Sequence, residues 1–264
     1  MIKKIWLYPN NDDKSIEISN IIKEKLISNG YIIDKNCDLV IAIGGDGTFL
    51  RMVKKMNFNS NIYYVGINTG TLGFLQEIKV DEVDCFIKEL KNGEFKIEEI
   101  GIQETEIETN NKKYNYLTLN EIVIRDKNLK ATKLNIKING DLLERFIGDG
   151  ILIATSTGST AYNLSFGGSI VYNTFNSLQI TPIAPINTKV YRALRNSVII
   201  PNHKEIIVEP EFDKKDLHIS FDGNSYYFDN VKKIKTEIKD KTIKCIRLKH
   251  YNFPKKINEK LLTD

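Results

Sequence analysis

Leu39-Val40-Ile41-Ala42-Ile43 runs directly into Gly44-Gly45-Asp46-Gly47-Thr48. Five consecutive apolar residues without polar alternation describe a strand covered on both faces, as in parallel sheets flanked by helices. The glycines end the strand, and Thr48 is placed to cap a helix carrying Phe49, Leu50, Met52 and Val53. A strand that passes through a glycine-rich turn into a helix is half of a βαβ unit.

The same alternation extends outward on both sides. Ile5 to Tyr8 is apolar and stops at Pro9, and a helix follows with Ile18, Ile22 and Leu26 at i+4 spacing and Ile21 beside them, ending at Asn29-Gly30. Ile62 to Ile67 repeats the strand pattern and ends in Asn68-Thr69-Gly70. Val83, Phe86, Ile87 and Leu90 mark a further helix, closed by Asn92-Gly93. This order predicts a parallel sheet with helices on both faces. From about residue 95 the pattern changes to short strands at 102–109, 114–125 and 132–138, then 205–208, 218–221, 226–228 and 242–248. Asn139-Gly140 is a hairpin signal, because both residues tolerate positive φ. A short helix-compatible stretch, Ala161 to Ser169, sits inside this β-rich half. The fold class is therefore α/β plus β, with an α/β domain over residues 1–100 and a β-rich domain over 101–250, joined without a Pro- or Ser-rich linker.

Composition narrows the function classes. The chain has 264 residues with 38 basic and 34 acidic side chains, a formal charge of +4. That balance is too mild and dispersed for nucleic-acid binding, which needs clustered charge. Cys37, Cys85 and Cys245 are far apart, as are His203, His218 and His250, so neither a disulfide framework nor a metal site is expected. The N-terminal apolar segment is too short for a signal sequence, and no run approaches the roughly 20 residues that span a bilayer. A cytoplasmic location without membrane partners is expected.

The chemistry gathers in a few blocks. Glycines before a helix let a phosphate approach the backbone, and the helix N-terminus supplies free N–H groups. An Asp in that turn suffers repulsion from polyphosphate unless it binds a metal or accepts a proton; a tight turn with a capping Asp is the alternative. Asn68-Thr69-Gly70-Thr71-Leu72-Gly73-Phe74 follows at the C-terminal edge of the next parallel strand, where ligands bind in open α/β sheets. Asn120-Glu121 interrupts an apolar strand, and on its own reads most simply as a salt bridge on a solvated sheet face. Gly148-Asp149-Gly150 supplies a second glycine-flanked Asp. Thr155-Ser156-Thr157-Gly158-Ser159-Thr160-Ala161-Tyr162-Asn163 offers short hydroxyl donors and one aromatic face. A hydrolase nucleophile is disfavoured there, because no Gly-x-Ser-x-Gly elbow is present and no histidine is an evident base.

Together with Pro182-Ile183-Ala184-Pro185 and Ser220-Phe221-Asp222-Gly223-Asn224, these blocks resemble, in this order, the NAD kinase family over about residues 40–225. Gly-Gly-Asp-Gly alone is shared with lipid kinases and phosphofructokinases; Thr-Gly-Ser-Thr-Ala-Tyr is far more specific. The resemblance implies a Rossmann-like α/β domain and a β-sandwich-like domain, with residues 251–264 returning to the first. It implies phosphoryl transfer from ATP or polyphosphate to NAD, with Asp46 as the general base for the 2′-hydroxyl. Gly44, Gly45 and Gly47 would lie at the phosphates, and Asn120 and Glu121 would hold the adenosine. Thr160, Ala161, Tyr162 and Ser165 would line the adenine pocket with Phe74 near it. Asp149, Ala184 and Tyr191 would face the nicotinamide half, where a neighbouring subunit of a homodimer or homotetramer can contribute. Mg²⁺ would arrive with the donor, since no carboxylate cluster resembles a dedicated cage. Two positions depart from the family pattern. Ile147 stands where relatives commonly have Arg, and Thr155-Ser156-Thr157-Gly158 replaces Thr-Pro-Thr-Gly. A lipid kinase sharing the Gly-Gly-Asp-Gly turn, or a non-catalytic dinucleotide sensor, are the competing expectations; a carboxylate beside phosphates serves no purpose in the latter.

Overall fold

A computed structural model describes residues 2–70, 73–211 and 215–262. The chain divides into two compact units, residues 1–100 with 241–264, and residues 101–240. In chain order the elements begin with β1 (Lys4–Pro9), α1 (Asp13–Ser28), β2 (Ile32–Ile33), β3 (Leu39–Gly44), α2 (Asp46–Lys55), β4 (Tyr63–Asn68), β5 (Ile78–Lys79) and α3 (Val83–Asn92). Then come β6 (Phe95–Thr109), β7 (Lys113–Thr118), β8 (Glu121–Asp126), β9 (Thr132–Ile138), β10 (Asp141–Gly148), β11 (Gly150–Thr155) and α4 (Tyr162–Ser165). The last are β12 (Ser177–Ile183), β13 (Val198–Pro201), β14 (Ile206–Pro210), β15 (Lys215–Phe221), β16 (Asn224–Leu248) and α5 (Phe253–Leu261).

The first unit is α/β. The end of β16 lies beside β4, followed by β3, β1 and β2, and these pairs are parallel. All six residues of β3 are buried, as the uninterrupted apolar run requires. Helix α1 turns Ser15, Ser19, Ile22 and Leu26 inward, whereas Ile21 is 48% exposed, so the small serines rather than Ile21 complete its packing face. Helix α2 starts at Asp46 with Gly45 as its cap. Thr48 is thus a buried residue of the first turn and not the cap; its hydroxyl accepts from Arg51 at 3.1 Å. The cap thus falls at Gly45, ahead of Thr48, and that places Asp46 at the helix start.

The second unit is sheet-rich. The order β13-β12-β11-β8-β15-β16 is antiparallel throughout, and the β9–β10 hairpin joins it through β14. The hairpin closes on Asn139 and Gly140 at φ +50° and +92°, the left-handed pair that such a turn demands. Ile122, Ile124, Phe146, Ile151, Ile153 and Ile219 are central to its core. Two expectations change. The run 114–125 is two strands, broken at Leu119-Asn120, and the stretches 226–228 and 242–248 belong to the single 25-residue strand β16. Among the described residues no helix is long and apolar enough to cross a membrane.

Candidate active site

In the first unit, Asp46 does not cap its own helix. Its Oδ2 accepts the Phe74 N–H at 2.8 Å, and its Oδ1 accepts those of Leu75 at 3.0 Å and Gln76 at 3.3 Å. A carboxylate offers about four acceptor positions, so three are filled and the open one is on Oδ2. The approach is close. A Cβ on Gly73 would fall 1.9 Å from Asp46 Oδ1, and only glycine lets the backbone pass there. Gln76 is fully buried and its amide donates to the Gly45 carbonyl at 2.7 Å, which fixes the turn from behind. The front of the turn is open: a Cβ built on Gly45 meets nothing within 4 Å, and one on Gly47 meets only Arg51 at 3.4 Å. Arg51 is tied to Asn10 at 2.7 Å. Gly44, Gly45, Asp46, Gly47 and Phe74 are thus brought together, with Phe74 against Phe253. Asn68 closes its own loop by donating to the Gly70 carbonyl at 2.8 Å; Thr71 and Leu72 lie outside the described residues.

The second unit replaces the expected salt bridge at Asn120-Glu121 with something costlier. Both residues are buried, and Asn120 Oδ1 and Glu121 Oε2 have no hydrogen-bond partner. Each such orphan costs about 1–3 kcal/mol. The backbone is held by Asp222, whose carboxylate accepts the N–H groups of Leu119 at 2.9 Å, Asn120 at 2.8 Å and Glu121 at 3.2 Å. These contacts break the strand and turn the two side chains inward. Burial, helped by the Asp222 charge, pushes the Glu121 carboxyl up to about 8, against the pull of the Tyr162 N–H. Glu121 borders a pocket of about 290 Å³ shared with Arg125, Tyr162, His218 and Ser220.

The hydroxyl-rich loop spends most of its donors on itself. Thr155 donates to Leu119 O, Ser156 to Phe175 O, Ser159 to Ser156 O and Thr160 to Thr157 O. The buried Asn163 is locked by Ser159 O and the Thr181 hydroxyl. Short polar side chains favour such local bonds, and here they shape the loop. Thr160 and Ala161 are half-buried, whereas Tyr162 and Ser165 are exposed, with the Tyr162 hydroxyl 3.4 Å from Arg125. Asp149 is exposed and its N–H donates to Ile183 O, next to the exposed Ala184, whose φ of +44° is strained for a residue with a Cβ. Tyr191 lies on a different contact, with its hydroxyl 3.3 Å from Lys133 Nζ. Ile147 pairs across the hairpin with Lys133.

Both segments that carry these features match family models: ATP-NAD kinase N-terminal domain over residues 16–95, and ATP-NAD kinase C-terminal domain over residues 119–246. A Finegoldia magna protein named NAD kinase is 40% identical over 259 residues, covering 94% of each chain. The chain belongs to the NAD kinase family. The fold agrees with yeast NADH kinase solved with NADH, at a TM-score of 0.87 and 23% identity, covering 100% of this chain and 90% of that one. It also agrees with an NAD kinase from Archaeoglobus fulgidus solved with ATP, at a TM-score of 0.75 and 22% identity, covering 97% and 98%.

Within this NAD kinase family chain, three residues with structural leverage on the site had no role assigned from sequence. Asp222 stands inside a recognised motif, but its grip on residues 119–121 spans about a hundred positions. Gln76 and Arg51 lie just outside the glycine motifs. Gln76 stands two positions after the Gly73-Phe74 turn, and its burial appears only in the fold. Among the described residues no group of three or more His, Cys, Asp or Glu is arranged to hold a metal ion.

Proposed function

We propose that this chain transfers the terminal phosphoryl group of ATP, or of polyphosphate, to the 2′-hydroxyl of the adenosine ribose of NAD, giving NADP. The observation that carries this reading is the pair of buried, unpartnered acceptors Asn120 Oδ1 and Glu121 Oε2 in a chain of this family. Adenosine presents matching donors, the ribose hydroxyls and the adenine amino group, and binding them removes the desolvation cost of both orphans. Tyr162 supplies a ring face for adenine, with Thr160, Ala161, Ser165 and Phe74 completing its surroundings. Asp149, Ala184 and Tyr191 are assigned to the nicotinamide half, in a homodimer or homotetramer located in the cytoplasm.

Asp46 is assigned as general base. The open lone pair on Oδ2 takes the 2′-hydroxyl proton as that oxygen attacks the terminal phosphorus, and the bridging oxygen leaves with ADP. Gly44, Gly45 and Gly47 receive phosphate oxygens at the start of α2, where free N–H groups favour negative charge. Mg²⁺, or another divalent cation, is expected to travel with the triphosphate. The donor set does not fit a protein-held ion, since Asp46 is committed to the 74–76 backbone and among the described residues no acidic cluster accompanies it.

The turn gives a clean test. Gly45 has φ −94° and ψ −177°, which alanine adopts without strain, and its Cβ would meet nothing. Gly45→Ala is therefore expected to fold with an unchanged thermal midpoint. Its methyl occupies the space a phosphate needs, so KM for ATP should rise about tenfold or more, the equivalent of one lost charge-assisted hydrogen bond. An unchanged KM would remove this turn from the phosphates. Substrate class is tested in parallel reactions with NAD and with diacylglycerol micelles as acceptors. Phosphorylated product from NAD alone is expected; a phosphorylated lipid would overturn the reading.

A further inference from the structure

We propose that Lys256, on the C-terminal helix α5, is a positioning residue for Asp46: it fixes the 74–77 segment that grips the carboxylate. The inference rests on the assignment of Asp46 as base. Lys256 is only 6% exposed, and its Nζ donates to the Gln76 carbonyl at 2.7 Å. Gln76 is the junction. Its N–H reaches Asp46 Oδ1, its side-chain amide reaches Gly45 O, and its carbonyl is held by Lys256. One residue thus ties both members of the Gly45-Asp46 turn to the last helix of the chain.

The anchor behind it is ionic and buried. Lys256 Nζ lies 3.5 Å from Glu77 Oε2, and Arg247 bridges Glu77 at 3.4 Å to Glu98. Glu77 is fixed further by its N–H on Gly66 O at 2.9 Å and by the Leu248 N–H on its carboxylate at 3.2 Å. Two cations balance two anions. Buried ion clusters add little stability over well-packed apolar groups, but they hold one geometry. The geometry held here is that of the segment over Asp46.

The groups facing Lys256 are Glu77, Arg247 from β16, Asp46 at the start of α2 and the Tyr251 ring at 5.2 Å, with Glu98 of β6 acting through Arg247. His250, 3.7 Å from Glu82, borders the same groove. Burial, with the Arg247 charge, pulls the Lys256 ammonium down to about 8, against Glu77 and Asp46. Above that pH the Gln76 carbonyl loses its charged donor.

The test is Lys256→Met in the full chain, with kcat and both KM values followed between about pH 6 and 9.5, the thermal midpoint, and Asp46→Asn alongside. The expected result is a folded protein whose KM for NAD and ATP stays within about twofold while kcat falls about tenfold or more. The wild type should lose kcat as pH rises through about 8, and the variant should lack that limb. A merely structural role would lower the thermal midpoint and leave the pH profile in place. Wild-type kcat in the variant, or a wild type with no decline up to about pH 9, would overturn the inference; the second readout stands even if the variant fails to fold. If Asp46→Asn kept full turnover, the base assignment would fail and this inference with it. An inactive Asp46→Asn beside an unaffected Lys256→Met would sink the Lys256 role alone.

Discussion

Asp46→Asn is expected to bind NAD within about twofold of the wild type while its turnover falls about 100- to 10,000-fold, the range that general base catalysis supplies. The substitution removes the one acceptor position that the 74–76 backbone leaves open. Asparagine Oδ1 can still take the Leu75 and Gln76 N–H groups, but an amide nitrogen in place of Oδ2 confronts the Phe74 N–H, now 2.8 Å from the carboxylate. Some loosening of the loop is therefore expected, and the thermal midpoint measured with NADP formation and NAD titration separates it from lost chemistry. Asp46 lies in the first unit, whereas the adenosine contacts assigned above, Phe74 excepted, lie in the second, and this predicts that binding survives. Unchanged turnover would strip Asp46 of its role.

Glu121→Gln should move stability and binding in opposite directions. The Glu121 carboxyl is raised from 4.5 to about 8 in the folded chain. Below the unfolded value it is protonated in both states and carries no penalty. As pH rises from 4.5 towards about 8, the folded state must hold a proton that the unfolded state has released, so native stability falls across that window. Glutamine is neutral throughout. The variant should be more stable than the wild type by on the order of 4 kcal/mol near pH 8, with the gain vanishing towards pH 4.5. Denaturant unfolding of the ligand-free protein at two pH values measures it. Glutamine also turns one acceptor into a donor that cannot ionise, and above about pH 8, where Glu121 can accept as a carboxylate, NAD affinity should fall about tenfold or more, as for the loss of one hydrogen bond to a charged group. Equal stability at both pH values would mean that Glu121 is not the buried acid described here.

How these residues escape or yield to sequence reading follows from the range of their contacts. Leu39–Ile43 and the glycine turn are legible because burial on both faces and a tight turn are written in consecutive residues. The order β1, α1, β3, α2, β4, α3 follows from the same local patterns, as does the Asn139-Gly140 hairpin, whereas the two-residue strands β2 and β5 are too short to carry a period. The late start expected for α2 has a local cause too: Thr48 is a good cap by residue type, but the helix is already capped at Gly45. What stays hidden depends on partners far along the chain. Asn120 and Glu121 look like a solvated pair until Asp222, about a hundred residues on, pins their backbone. The hydroxyls of residues 155–160 suggest free donors, and only the fold reveals that they serve Leu119, Phe175 and each other. Lys256 is one of many lysines in the sequence, and its contact with Gln76 spans 180 positions. The charge-rich stretch between 228 and 242 receives no strand assignment from sequence, yet β16 continues through it to Leu248, burying Val231, Ile234, Thr236 and Ile238 between charged neighbours.

The most direct test of phosphoryl transfer to NAD is phosphorus NMR of the purified protein incubated with NAD, ATP and a divalent cation. A phosphomonoester signal on the 2′ position of the adenosine ribose, growing in step with ADP, is the expected result. ATP left intact while NAD is bound, or phosphate carried on any other hydroxyl, would contradict it.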